Sequence, residues 1–352
     1  MRIVILCVSI LCGHILWAGR ASFYVCVLDA DTGLPIKGAK IEGAFLNYSR
    51  GWNESAKDNN VDAWTDSNGY AKLSGNTEAG VGGYRILRTP GYYNAEWTEI
   101  EFREQSLLRL GAWIPSGIVS TTRLDRVVNP IPLWVKGVNG EYRARSQAYY
   151  ELSIKKRDFS VTNGVPVVKD EKLSYDLVKG AWLPPHGDGE TCDIQFVFNE
   201  NVLGWKEDKG YDGTFVMKLY RTTTAISMPG QGNGIVETPS RENAGIKLRI
   251  APEAGYRNNL TRWHGWLGDG DGIQTDSKKG RCYAFRIRTE YDENGKIKSA
   301  YYGKIYDDFD VSSLEGVRFL YYLNPTSNDR NLEWDMKNNL CPNSKDNGEP
   351  QP

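Results

Sequence analysis

The sequence predicts an all-β protein made of two sandwich domains, the second the larger and of sandwich or jelly-roll form. Three observations predict it. Apolar and polar residues alternate over short runs, as in FYVCVLDA, where Phe23, Val25 and Val27 share one face. Turn sequences rich in glycine, aspartate and asparagine separate those runs at the short intervals typical of sandwiches. No segment of the 352 residues sustains a helical period.

The strand FYVCVLDA runs into the turn DADTG (29–33), where Gly33 can take a positive φ and the aspartates can cap backbone amides. A second turn, TDSNG (65–69), separates VDAW from YAKL. A strand from Tyr84 to Leu87 stops at Pro90-Gly91, and IVSTTRL (118–124) supplies another. The polar stretch NYSRGWNESAKDNN (47–60) reads as a long exposed loop. Pro130 and Pro132 hold NPIPLWVKGVNG extended, as a linker over 127–140. Strands resume in AYYELSI, TCDIQFVF, GTFVMKLY and AGIKLRI. The clearest hairpin is CYAFRIRTEYDENGKIKSAYYGKI, joined at Asn294-Gly295, and VRFLYYLNP and NLEWD follow.

VLDADTGLPIKGAKIEG, WTDSNGYAKL and YRILRTPGYY together resemble the carboxypeptidase regulatory-like, or transthyretin-like, family. The matching residues are Asp29, Thr32, Gly33, Pro35, Ile36, Gly38 and Ala39, then Thr65, Asp66 and Gly69, then Gly91 and Tyr92. The resemblance implies a seven-stranded transthyretin-like or Ig-like sandwich over 22–126, and an accessory or spacing role rather than a chemistry. The second region is similar to the C-terminal part of uncharacterised secreted bacterial proteins with such a domain in front. That likeness runs through NPIPLWVK, YDLVKGAWLPPHGDGETCD, FRIRTEYDENGKIKSAYYGKIYDDF and YYLNPTSNDRNLEWD. It implies an organisation, and brings no activity with it.

At the N-terminus one basic residue, Arg2, precedes an apolar stretch from Ile3 to Ala18, broken by Ser9 and His14. Small residues follow, so the expected reading is a signal peptide over 1–21, cleaved after Ala21 or else after Ala18. Leu11 before Cys12 makes a poor lipoprotein box. The stretch is shorter than the roughly 20 residues a bilayer span needs. The expected mature chain is therefore secreted, periplasmic or held at the cell envelope, with its second domain over 141–345 and a disordered tail over 346–352. A formal net charge of -1, with no basic block, gives nucleic acid or an anionic membrane no electrostatic footprint.

Motifs for catalysis are missing. HExxH, GxSxG and GxGxxG are absent, and only His186 and His264 lie beyond the leader. Glu333 and Asp335 in NLEWD share a strand face, but a solvated face explains them as well as a glycosidase pair does. Cysteines Cys26, Cys192, Cys282 and Cys341 remain after the leader, with no CxxC spacing. The expected scheme is a Cys282–Cys341 bridge, with Cys26 and Cys192 reduced and buried.

Aromatic residues carry the main functional signal: eleven Trp and twenty Tyr against ten Phe favour rings with a polar handle. WHGWLGDGDG (263–272) gathers Trp263, His264, Trp266, Asp269 and Asp271 on an expected loop, where a turn at Gly265 would present both rings on one side. Trp182 and His186 in AWLPPHGDG are a second candidate pair. Core capping by these tryptophans is the competing reading. No cofactor is expected. An EF-type calcium loop fails at Ile273 and Gln274, while a looser calcium site with Asp269, Asp271 and Asp276 stays open. Three functions remain: a binding protein engaging glycan or another surface partner, a secreted hydrolase with a carboxylate pair, and a cell-envelope spacer.

Overall fold

The computed structural model describes residues 19–46, 59–102, 104–106, 112–115, 117–138, 159–162, 165–168, 171–184, 187–210, 213–239, 248–267, 274–278, 280–312 and 316–341. Every regular element among them is a β-strand, as the alternation predicts. None is a helix long and apolar enough to cross a membrane. The chain divides into two compact units, one ending at Val127 and the other beginning at Val128.

The first unit holds β1 (Gly19–Asp29), β2 (Lys40–Phe45), β3 (Asn59–Trp64), β4 (Tyr70–Thr77), β5 (Val81–Ile86), β6 (Ala95–Glu101), β7 (Glu104–Ser106), β8 (Ala112–Ile114) and β9 (Ile118–Leu124). Its two main sheets run β4-β1-β9 and β3-β2-β5-β6, seven strands in all, with β7 and β8 as a separate pair. Phe23, Val25 and Val27 from one sheet meet Ile41, Phe45 and Ile86 from the other in a single core, as a sandwich requires.

The turn residues that suggested the fold hold it together. Asp29 Oδ1 accepts the N–H groups of Asp31 and Thr32, at 3.0 and 2.8 Å, and the Thr32 hydroxyl. Its Oδ2 takes Tyr92 Oη at 2.9 Å and the Arg126 guanidinium. The Thr32 amide and Arg126 hold this carboxyl well below the usual range. Thr65 bridges Ile36 O and Ala39 N at 2.6 and 2.9 Å. Gly69 must be glycine: its φ is +78° and a Cβ would stand 2.6 Å from Val27 O.

The expected leader end at Ala21 falls inside β1. Gly19, Arg20 and Ala21 pair with Thr77, Asn76 and Gly75, and Ala21 joins the core; an end at Ala18 leaves the strand whole. Most of the long loop over 47–60 lies outside the described residues. Residues 19–127 expressed as a fragment are expected to unfold in urea in one cooperative transition. A gradual loss of signal would place the boundary elsewhere.

The second unit holds β10 (Ile131–Val138), β11 (Phe159–Thr162), β12 (Val165–Val168), β13 (Glu171–Asp176), β14 (Ala181–Trp182), β15 (Ile194–Gly210), β16 (Gly213–Ser227) and β17 (Gly234–Thr238). It continues with β18 (Asn259–Trp266), β19 (Gln274–Thr275), β20 (Cys282–Tyr291), β21 (Ile297–Ser312), β22 (Gly316–Leu323) and β23 (Trp334–Asn339). Two six-stranded sheets, β17-β20-β21-β22-β10-β23 and β14-β13-β15-β16-β18-β19, close on one another. Between them lie Phe196, Ile226, Tyr283, Phe285, Phe309 and Phe319.

Two expectations are corrected here. The stretch read as a linker over 127–140 contributes β10, which sits between β22 and β23 and buries Leu133 and Val135. AYYELSI lies outside the described residues; in AGIKLRI the described end, Leu248–Ile250, makes only an isolated bridge from Ile250 to Asn331. That segment packs instead on the far face of β21, where Ala251, Ala300, Tyr302 and Leu332 form a small core of their own.

Candidate functional site

NLTRWHGW is strand β18, not a loop. Its register with β16 is continuous, from Asn259 opposite Ser227 to Trp266 opposite Tyr220. Period-two alternation therefore puts Trp263 and Trp266 on opposite faces. Leu260 packs on the core, so Arg262, His264 and Trp266 point inward with it and Trp263 points outward. The expected one-sided pair of rings does not form. Gly265 serves close backbone approach rather than a turn, since a Cβ there would stand 2.2 Å from Tyr220 O.

On the outer face, the Arg221 guanidinium carbon lies 4.4 Å from the centroid of the half-buried Trp263 ring. The Trp263 N–H donates to Asp276 Oδ1 at 2.8 Å, and its carbonyl accepts from Thr275 Oγ1 at 3.0 Å. One carboxylate oxygen of Asp276 is thereby committed to the backbone. Asp269 and Asp271 lie outside the described residues, and no metal-holding group of three or more ligating side chains occurs among the described ones.

On the inner face, His264 is 4% exposed and meets Tyr220 edge-on at 5.9 Å, which makes it an interior residue rather than a ligand-facing one. Trp182 also turns inward: its ring stands 4.9 Å from Tyr175 and 6.3 Å from Phe196, capping the core. His186 lies outside the described residues. Trp182→Ala is accordingly expected to cost about 3 kcal/mol in urea unfolding, and Trp263→Ala less than about 1 kcal/mol. Equal losses would contradict this division.

Three buried polar networks went unseen in the sequence. Asp308 accepts Arg262 Nε at 2.9 Å, Tyr283 Oη at 2.8 Å and Arg281 Nη1 at 2.6 Å. Arg288, at φ +50° beside a break in the β20–β21 register, sends Nη2 to Asp176 at 2.6 Å and Asp193 at 3.0 Å. Burial pushes the Asp193 carboxyl up. At Asp176 the amides of Lys179, Thr191 and Glu190 outweigh burial and hold the carboxyl down. Glu333 is buried, and its two oxygens accept the N–H groups of Val128 and Asn129 at 2.7 and 2.9 Å. It fastens the chain entering β10 and is not half of a solvent-facing pair with Asp335.

The cysteine scheme is corrected as well. All four described thiols are reduced, so no Cys282–Cys341 bridge is present. Cys282 is fully buried, opposite Tyr306 in the β20–β21 ladder and on the face turned away from Tyr283, Phe285 and Ile287. Cys341 is half-buried, and burial pushes its thiol up against the opposing pull of Lys136. Cys26 is buried as expected, while Cys192 is half-buried, with its thiol 3.8 Å from Ile194 O. Peptide mapping without reductant is expected to find no bridge from Cys282; a linked Cys282 peptide would contradict this arrangement.

A shallow groove of about 540 Å³ opens between the edges of β3 and β4, lined by Arg20, Asn59, Asn60, Val61, Ser74 and Asn76. Its lining mixes amide, hydroxyl and guanidinium groups with the Val61 side chain.

No protein-family model matches the chain, and no curated protein does. Loose structural overlays exist. The minor pilin of Streptococcus agalactiae matches at 16% identity and TM-score 0.22 over 32% of this chain, which is 47% of that one. The major pilin SpaD of Corynebacterium diphtheriae matches at 11% identity and TM-score 0.24, over 80% of this chain and 70% of that one. A DUF3823 family protein from Parabacteroides merdae matches at 8% identity and TM-score 0.20, over 86% and 96%. At these scores the overlays do not bear on function.

Proposed function

We propose that this is an exported, non-catalytic binding protein that engages a glycan or another cell-surface partner through the outer face of β18. The observation that carries the reading is the Arg221–Trp263 stack, an aromatic ring and a planar cation held together on an outward sheet face at 4.4 Å. A flat ring beside a fork of donors suits a partner with both apolar and hydroxyl surface. The buried carboxylates support a non-catalytic reading, because Asp29, Asp308 and Glu333 spend their oxygens on amides, arginines and tyrosines. The N-terminal likeness to the carboxypeptidase regulatory-like family agrees with an accessory role, and the leader-like N-terminus with export.

A glycan array probed with the full chain tests it. The wild type should bind a restricted set of glycans, and Trp263→Ala should weaken that binding about tenfold, at an unchanged urea midpoint. Equal binding by the variant would move the site away from β18, and a wholly silent array would remove glycan as the partner.

A further inference from the structure

The outer face of the four-stranded sheet in the first unit carries a separate pair of exposed tryptophans. Along β3, Val61 and Ala63 pack toward the core, so Asn60, Asp62 and Trp64 face outward. Register sets Trp64 beside Lys40, and Asp62 beside Glu42, which in turn lies beside Arg85. Ion pairs run along that face: Lys40 Nζ is 3.0 Å from both Glu42 and Asp62, and Arg85 Nη2 is 3.1 Å from Glu42. At the other margin, Trp97 of β6 lies over Gly83, where a Cβ would stand 2.3 Å from its ring. Trp64 is 59% exposed and Trp97 39% exposed.

Strand order makes this a platform. β3 and β6 are the two edges of the sheet, three strand spacings or roughly 15 Å apart at about 4.8 Å each, and the Trp97 ring reaches inward from β6 over Gly83 of β5. Ala44 keeps the floor between them low, and Gly83 makes room for the Trp97 ring. The two cations and two carboxylates of the strip pair off with one another, and Glu99 stands at the rim beside Trp97. Such a strip offers acceptors and donors without net attraction for a polyanion, which would need a basic excess. A protein hot spot would cluster its aromatics in a central pocket, whereas these stand apart at opposite margins. Two separated flat rings with hydroxyl-matching groups between them fit a chain of sugar rings, whose C–H faces stack and whose hydroxyls bond.

We infer that this face binds a neutral polysaccharide chain laid across the four strands, stacked on Trp64 at one end and Trp97 at the other. The site is independent of the Arg221–Trp263 stack. Its charged strip positions the chain, and the two rings hold it.

Affinity electrophoresis of the full chain tests it, in gels containing hydroxyethylcellulose, galactomannan, xyloglucan or soluble starch, with polygalacturonate as the charged comparison. At least one neutral polymer should retard the wild type. Trp64→Ala, which removes a mostly exposed ring, should weaken that retardation about tenfold, and the Trp64→Ala/Trp97→Ala double variant further still. Trp263→Ala should leave it unchanged. The urea midpoint of Trp64→Ala should match the wild type, and the double variant should still unfold in one cooperative transition. Retardation that survives the double variant, or that occurs only in polygalacturonate, would overturn the inference, as would unaltered mobility in every neutral gel. Loss on Trp263→Ala with the Trp64 and Trp97 variants unaffected would overturn it too, and leave the β18 reading standing.

Discussion

Lys304→Met is expected to raise stability at neutral pH by about 1–2 kcal/mol, although it removes a hydrogen bond. Lys304 is fully buried, its Nζ donating to Leu248 O at 3.2 Å and lying 4.8 Å from the Tyr322 ring centroid. Burial pushes its amine down to about 8, with Cys282 and then Glu333 pulling weakly the other way. Below pH 8 the folded protein keeps a buried cation, while the unfolded chain holds the same proton in water up to its ordinary value of 10.5. The unfolded state therefore binds more protons between the two values, and stability rises with pH across that window, by up to about 3 kcal/mol. Buried phenols oppose it further up. Tyr175, Tyr256 and Tyr321 are all raised by burial, so their contribution is present below about pH 10 and lost above it. Urea unfolding at pH 7 and pH 9.5 should show the advantage of Lys304→Met shrinking at the higher pH. An advantage that is constant with pH, or a methionine variant that is weaker at both, would mean the amine's contacts outweigh its desolvation.

Arg288→Ala is expected to have the largest destabilising effect, about 3–5 kcal/mol, because it leaves two buried carboxylates facing each other without their shared cation. Asp176 and Asp193 are both almost fully buried, on β13 and in the loop before β15, whereas Arg288 comes from β20 of the opposing sheet. The guanidinium therefore ties the two sheets of the second unit together. Acid should partly rescue the variant: as pH falls, the carboxyls protonate and the uncompensated charge disappears. Urea midpoints measured from pH 7 to pH 4 check this. A loss under about 1 kcal/mol, or no convergence with the wild type in acid, would contradict the role given to Arg288.

How much of this was legible depended on whether the signal was local. Phe23, Val25 and Val27 alternate, and Asp29, Thr65 and Gly69 close turns within a few residues of themselves, so the first unit could be read from the sequence directly. Arg288 could not. Alternation alone assigns it to the solvent face with Arg286, but the register break at its position redirects it onto Asp176 and Asp193, residues far away in sequence. The burial of Cys282 and Lys304 was hidden for a related reason. Their sheet face is covered, at Lys304 by the 248–256 segment, whose first residues read as a strand but pair only through the Ile250–Asn331 bridge. In WHGW the glycine suggested a turn, yet Gly265 is needed to let β18 approach Tyr220 closely. The tryptophans of β3 and β6 were visible as residues, but their shared face follows only from the strand order β3-β2-β5-β6.

The central claim, that this chain binds and does not cleave, is tested most directly by one paired measurement. Full-length protein is incubated with each polysaccharide to which it binds, and reducing ends are counted over a day beside the retained fraction. Retention with no increase in reducing ends over a protein-free control is the predicted result. Release of reducing ends that scales with protein concentration would contradict the account and restore a carboxylate-pair hydrolase.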